Sequence, residues 1–165
     1  MTQWEAPAKL NLDLRLRQRD SKGMHPLRSL VQTIEWCDLL TVEAGDEDVL
    51  HLNGPGAESD IPDGGDNLVW KAVQALQLAS RPQLDVVLDK WVAAAAGLGG
   101  GSSDAAAMLL ALADLLHLGD DTVRAAAEQV GADVPYFLTG GTAVVEGYGE
   151  VISPAPAITG LAFAV

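Results

Sequence analysis

At 165 residues, 48% of them apolar, the chain is long enough for one domain with its own core, and its formal charge of −13 leaves only ten Lys and Arg. That balance excludes a nucleic-acid surface, which needs clustered cations, so any phosphorylated ligand must be held locally. Cys37 is alone, Met1 is followed by polar Thr2, Gln3 and Glu5, and glycines interrupt the apolar run from Trp91 to Leu116. A cytoplasmic protein without disulfide, cysteine-based zinc cluster, secretory signal or membrane span is expected.

From Ala8 to Arg17 apolar and polar residues alternate strictly. This predicts a half-buried strand with Leu10, Leu12, Leu14 and Leu16 on one face and Lys9, Asn11, Asp13, Arg15 and Arg17 on the other. Asp20-Ser21-Lys22-Gly23 reads as a turn, and Leu30–Trp36 and Leu39–Ala44 read as two further strands. The Gly-, Pro- and Asp-rich stretch Asn53–Asp66 separates these from a helix over Asn67–Ala79, with Asn67 as its cap. Leu84–Leu88 is a short strand, and Ala105–Leu116 is a helix apolar on most sides. A second helix over Thr122–Val130 ends at Gly131, before Asp133-Val134-Pro135, a Gly140-Gly141 turn and a strand at Thr142–Glu146. The run Leu161–Val165 reads as a strand cut short, which suggests that a carboxyl-terminal domain is absent from this chain. Residues 1–165 then form one amino-terminal domain.

Between the Leu84–Leu88 strand and the apolar Ala105–Leu116 helix lies Gly97-Leu98-Gly99-Gly100-Gly101-Ser102-Ser103-Asp104. Glycines let main-chain N–H groups point at a ligand, and a helix starting at the serines would add its positive end and two hydroxyls. The run is not a Walker A loop, since no Lys follows the last glycine, and Ser102 spoils a dinucleotide fingerprint. A flexible turn capped by a serine is the competing reading of the loop alone.

The loop, with the strand and Asp89-Lys90 before it, resembles the second motif of the galactokinase, homoserine kinase, mevalonate kinase and phosphomevalonate kinase superfamily. Three further blocks extend the resemblance: Ala6-Pro7-Ala8-Lys9-Leu10-Asn11-Leu12, His25-Pro26-Leu27 and Gly131-Ala132-Asp133-Val134-Pro135. With the loop, they are similar in order and spacing to the branch of that superfamily in the non-mevalonate isoprenoid pathway. The resemblance implies an α+β fold like the second domain of ribosomal protein S5, a mixed sheet with helices on one face. It also implies transfer of the γ-phosphoryl group of ATP, with Mg2+, to the 2-hydroxyl of 4-diphosphocytidyl-2-C-methyl-D-erythritol.

Carried onto this sequence, the resemblance makes Asp133 the base that takes the hydroxyl proton and Lys9 the cation that keeps Asp133 ionised. Asn11 would orient the small-molecule cytidine-diphosphate substrate and His25 would recognise its cytosine. Main chain over Ala94, Ala95, Ala96, Gly97, Leu98, Gly99, Gly100, Gly101, Ser102 and Ser103 would wrap the triphosphate, with Lys90 near the adenine. No ligands for magnesium and no oligomeric state follow. Taken singly, Lys9 also reads as a surface lysine, Asp133 as a turn residue and His25 as a loop histidine.

Four positions depart from the family pattern: Met24 for a tyrosine, Lys22 for an acid, Trp91 for a base and Ala93 for a proline. Family members also continue for roughly another hundred residues, the size of one more domain. The isolated chain is therefore expected to turn over little. Another small-alcohol kinase of the superfamily, or a nucleotide-binding module without catalysis, remain the alternatives.

Overall fold

A computed structural model describes residues 2–20, 23–58 and 61–164. Six strands, β1 (Gln3–Leu16), β2 (Leu27–Gly45), β3 (Val49–Asn53), β4 (Gln83–Asp89), β5 (Thr142–Gly147) and β6 (Val151–Pro154), form one mixed sheet. Four helices, α1 (Leu68–Ala75), α2 (Gly100–Leu116), α3 (Asp120–Val130) and α4 (Val134–Phe137), complete an α+β domain. β2 is the organiser. It pairs antiparallel with β1 over most of its length and with β5 through Leu27–Gln32 and β4 through Leu39–Gly45. Only β3 and β4 run parallel, joined through α1.

The central strands bury a row of side chains against the helices: Leu40 of β2, Leu84, Val86 and Leu88 of β4, and Ala143 and Val145 of β5. Opposite them, α1 contributes Val69, Ala72 and Val73, and α2 contributes Ala105, Met108, Leu109 and Leu112. The alanines of α2 allow close approach to β1, to α1 and to α3 at once. Asn67 caps α1 as expected, accepting the Val69 N–H at 2.9 Å. Among the described residues no helix is long and apolar enough to cross a membrane.

Several expectations are corrected. The two strands anticipated at Leu30–Trp36 and Leu39–Ala44 are one, because Cys37-Asp38 contains neither Gly nor Pro and the Asp38 carboxylate, which could have formed a turn, is satisfied inside the protein. α1 stops at Ala75 rather than Ala79, with Gln77 turned to φ 47°. The strands β3 and β6 were not anticipated, although Leu50-His51-Leu52-Asn53 alternates. Leu161–Ala164 forms no strand; Leu161 and Phe163 face Ile34 and Trp36 across an open groove. Ser21 and Lys22 of the expected turn, and Val165, lie outside the described residues.

The leucine row of β1 is also redirected. Asn11 pairs with Val31 but Asp13 pairs with Leu30, so Leu12 is an extra residue on the β1 side. Paired residues share a face and adjacent ones do not, so Asp13 and Arg15 leave the face of Asn11 while Leu14 and Leu16 join it. Beyond the cover of the helices, Leu14 is 51% and Leu16 66% exposed.

Candidate functional site

The loop from Lys90 to Gly99 is fixed at both ends. At its entrance the buried Asp38 Oδ1 accepts the main-chain N–H groups of Trp91, at 2.5 Å, and Val92, at 2.8 Å. At its exit Leu98 is buried beside Ala8 and Val92, and its carbonyl accepts the Lys9 N–H at 2.8 Å. Between these anchors Ala94, Ala95, Ala96 and Gly97 form an outward turn. α2 then begins at Gly100, two residues before the serines, with Gly99 as a cap that offers no side chain. First-turn N–H groups of a helix have no partner within it, so a seventeen-residue helix presents its positive end at Gly100, Gly101 and Ser102.

The glycines serve two purposes. A Cβ at Gly99 would lie 2.8 Å from Phe137 Cζ and 3.0 Å from Lys9 Cγ, and one at Gly100 would lie 3.0 Å from Val92 Cγ1. Those two are demanded by packing. Gly97 has positive φ, yet a Cβ there meets nothing. Gly99→Ala should therefore weaken both folding and nucleotide binding, since a side chain at φ +74° costs about 1–2 kcal/mol before the Phe137 clash is added. Gly97→Ala should cost only the backbone part. Thermal denaturation and ATP titration of the two variants check this ordering.

Lys9, Asp133 and Asn11 come together beside Gly99. Lys9, almost wholly buried, directs its Nζ to Asp133 Oδ2 and to Asn11 Oδ1, each at 3.4 Å. Ser29 Oγ lies 3.2 Å from the same Asn11 oxygen and 2.7 Å from the Asp13 carbonyl, its one proton shared between the two acceptors. Asp133 stands immediately before α4, but its side chain makes no capping hydrogen bond and is half exposed. A turn residue's usual employment is thus missing. Lys9 is not the solvated surface lysine that alternation allows; an irregular register between Pro7 and Lys9, set against Thr33–Cys37, accompanies its burial.

Lys90 is placed differently from its neighbours. Its ammonium is buried, donating to Asp38 Oδ2 at 2.5 Å and Asp104 Oδ2 at 2.7 Å. Its stem borders a small cavity with Asn67, Leu68, Ala94, Ala95 and Gly101. Burial opposes the Lys90 charge, but the charges and hydrogen bonds of Asp104 and Asp38 outweigh it and hold the ammonium above its ordinary pKa. Asp104 is the group that yields, pushed up to about 7, first by burial and then by the Asp38 charge.

A sign follows for stability. The folded chain keeps a proton on Asp104 up to about pH 7, whereas the unfolded chain releases it near the ordinary carboxylate value. This group's contribution is present at acid pH and is lost as pH rises through about 7. Asp104→Asn should lose less melting temperature than the wild type between about pH 5 and about pH 8. An equal loss in both would deny Asp104 this role.

His25 is not part of the Lys9 cluster. It is exposed on the loop joining β1 to β2, seven strand residues beyond Lys9 or roughly 20 Å along the hairpin. Its Nδ1 contacts the Arg17 carbonyl at 3.0 Å, and its Nε2 accepts from Arg19 Nε at 3.3 Å. Met24, beside it, is about half exposed. Sequence reading missed Asp38, Asp104 and Ser29. Asp38 had one signal, a lone carboxylate in the apolar run Trp36-Cys37-Asp38-Leu39-Leu40. Among the described residues no group of three or more His, Cys, Asp or Glu could hold a metal.

A glycine loop entering a helix beside a buried lysine–carboxylate pair, on a sheet organised around one long strand, defines a class. Residues 67–141 match the model described as GHMP kinases N terminal domain. More particularly, it is similar to 4-diphosphocytidyl-2-C-methyl-D-erythritol kinases. That of Geobacter metallireducens is 41% identical over 158 residues, covering 93% of this chain and 56% of the relative. One from Acidovorax sp. is 44% identical over 155 residues, 90% of this chain and 53% of the relative. The crystal structure of 4-(cytidine 5'-diphospho)-2C-methyl-D-erythritol kinase superposes with a TM-score of 0.77 at 39% identity, over 93% of this chain and 55% of that one. The chain spans about half the length of the relatives it matches.

Proposed function

We propose that this chain is the amino-terminal nucleotide-binding and catalytic part of an ATP-dependent kinase that phosphorylates the 2-hydroxyl of 4-diphosphocytidyl-2-C-methyl-D-erythritol. The observation that carries the reading is the Lys9–Asp133 pair, held beside the glycine loop by the Lys9 N–H to Leu98 carbonyl bond. The names of the relatives support the substrate.

In this reading the γ-phosphoryl group lies between the first turn of α2 and Lys9. Main-chain N–H groups from Gly97 to Ser102 hold the phosphates without side-chain rearrangement, the Ser103 N–H being taken by the Gly99 carbonyl at 2.9 Å, so the stabilisation is already in place when charge develops. Asp133 accepts the proton of the attacking hydroxyl. Lys9 keeps that carboxylate ionised and offsets negative charge on the transferred group. Asn11, its oxygen engaged by Ser29 and Lys9, has its amide donors left for the polyol.

Ser103 Oγ is buried at the start of α2 without a hydrogen-bond partner among the described residues, and it and Ser102 are hard oxygen donors suited to magnesium. Magnesium bound with the triphosphate would neutralise part of its charge. The wall of Asn67, Leu68, Ala94, Ala95 and Gly101, with Lys90 behind it, would receive the adenine. The hairpin reaches from Lys9 to His25, which suits an extended substrate with its reacting hydroxyl at one end and cytosine at the other. Met24 favours a second reading, a related kinase with another small alcohol, because a flexible thioether stands exposed beside His25. Comparing cytidine diphosphate with other nucleotides as ligands separates the two.

The test is a structure with bound ATP analogue. Phosphate oxygens within about 3.2 Å of N–H groups between Gly97 and Ser102 are expected. Phosphates bound elsewhere would remove the basis of the proposal.

A further inference from the structure

The loop that carries Met24 and His25 is tied down by a residue from the opposite end of the chain. Its base is closed by the Arg17 N–H donating to the Pro26 carbonyl at 2.7 Å. Within it Asp20 is the hub. The Asp20 N–H donates to the Met24 carbonyl at 2.9 Å, the Gly23 N–H donates to the Asp20 carbonyl at 3.0 Å, and Asp20 Oδ1 accepts the Met24 N–H at 3.1 Å. The second carboxylate oxygen, Oδ2, accepts from the hydroxyl of Tyr148.

Tyr148 sits on the turn between β5 and β6, between Gly147 at φ 72° and Gly149 at φ 118°. Its N–H is held by Glu150 Oε2 at 2.6 Å. On its other side the same turn packs against the base-bearing segment, for a Cβ at Gly149 would lie 3.0 Å from both Ala132 Cβ and the Ala132 carbonyl oxygen. One short turn therefore touches the residue before Asp133 and holds the loop that ends in His25.

We propose that Tyr148 and Asp20 are positioning residues that set the Met24–His25 loop relative to Asp133, so that cytosine recognition and proton removal act on one extended substrate. This rests on the reading of that loop as the cytidine site. Neither residue needs to touch substrate. Among the described residues Tyr148 reaches the loop through the Asp20 carboxylate, whose Oδ2 accepts from the tyrosine hydroxyl and whose Oδ1 accepts the Met24 N–H.

Tyr148→Phe deletes one hydroxyl and leaves the ring. In the intact protein it should weaken binding of cytidine diphosphate about tenfold, the order set by one hydrogen bond to a carboxylate, and leave ATP affinity unchanged. Asp20→Ala should do the same, and the double variant should be no weaker than Asp20→Ala alone, since the tyrosine acts through the aspartate. Exchange of the Met24 amide hydrogen, followed by NMR without ligand, should quicken in Asp20→Ala and in Tyr148→Phe.

Positioning requires both the affinity loss and the faster exchange, and absence of either overturns it. A double variant that sums the two losses overturns the route through Asp20. If the unaltered protein does not bind cytidine diphosphate at all, the cytidine reading fails and takes the positioning role with it. Met24 exchange then still shows whether the clamp exists, so the two failures are told apart.

Discussion

Asp133→Asn in the intact protein should leave nucleotide affinity nearly unchanged and lower turnover by about 10²-fold or more, the lower range for loss of a general base. The amide matches the carboxylate in size but cannot take the hydroxyl proton, and it removes the anionic partner 3.4 Å from Lys9 Nζ. Folding should survive, because the Asp133 side chain caps nothing and is half exposed. Lys9→Ala should also slow turnover. The double variant should lose less than the two free energies added, since each residue acts through the other. Kinetics at saturating ATP, with melting curves alongside, decide the matter: wild-type turnover in Asp133→Asn would return Asp133 to the standing of a turn residue.

Lys90→Met should destabilise the domain by about 3–5 kcal/mol, the usual cost of removing one partner from a buried ion pair. That is a large share of the roughly 5–15 kcal/mol that holds a domain together. The loss is severe here because two carboxylates, Asp38 and Asp104, would face one another without a cation. Asp38 also holds the loop entrance through the Trp91 and Val92 N–H groups, so the phosphate loop should loosen with it. Both of those bonds go to Oδ1, which an asparagine can retain. Lys90→Met combined with Asp38→Asn should therefore recover part of the stability lost in Lys90→Met, as denaturant titration of the two would show. No recovery would mean that the loss came from packing of the lysine stem rather than from stranded charge.

The glycine run, the helix after it, the Asn67 cap and the Lys9 and Asp133 blocks were legible in the sequence because each is a local pattern. Their meaning depends on residues within one turn or one strand. Lys90 stood out in the sequence beside the glycine loop but not as a buried cation, because its partner Asp38 is 52 residues away and Asp104 is 14. Nothing local marks such a meeting. The phosphate loop shows the same division: four glycines announce a close approach, yet only the packing of Phe137, Lys9 and Val92 tells which glycines serve the fold and which stands open.

What the sequence determined by itself is the order of β1, α1, β4, α2, α3 and β5, the apolar rows of β4, α1 and α2, and the glycine loop before α2. Periods of 2 and 3.6 are written into neighbouring residues. What only the tertiary structure decided is the face each residue of β1 presents. A period-two pattern cannot register one extra residue, and the bulge at Leu12 sends Leu14 and Leu16 to the face of Asn11 and takes Asp13 and Arg15 away from it. Register is a property of two strands, so it is settled where β1 meets β2 and not in either alone.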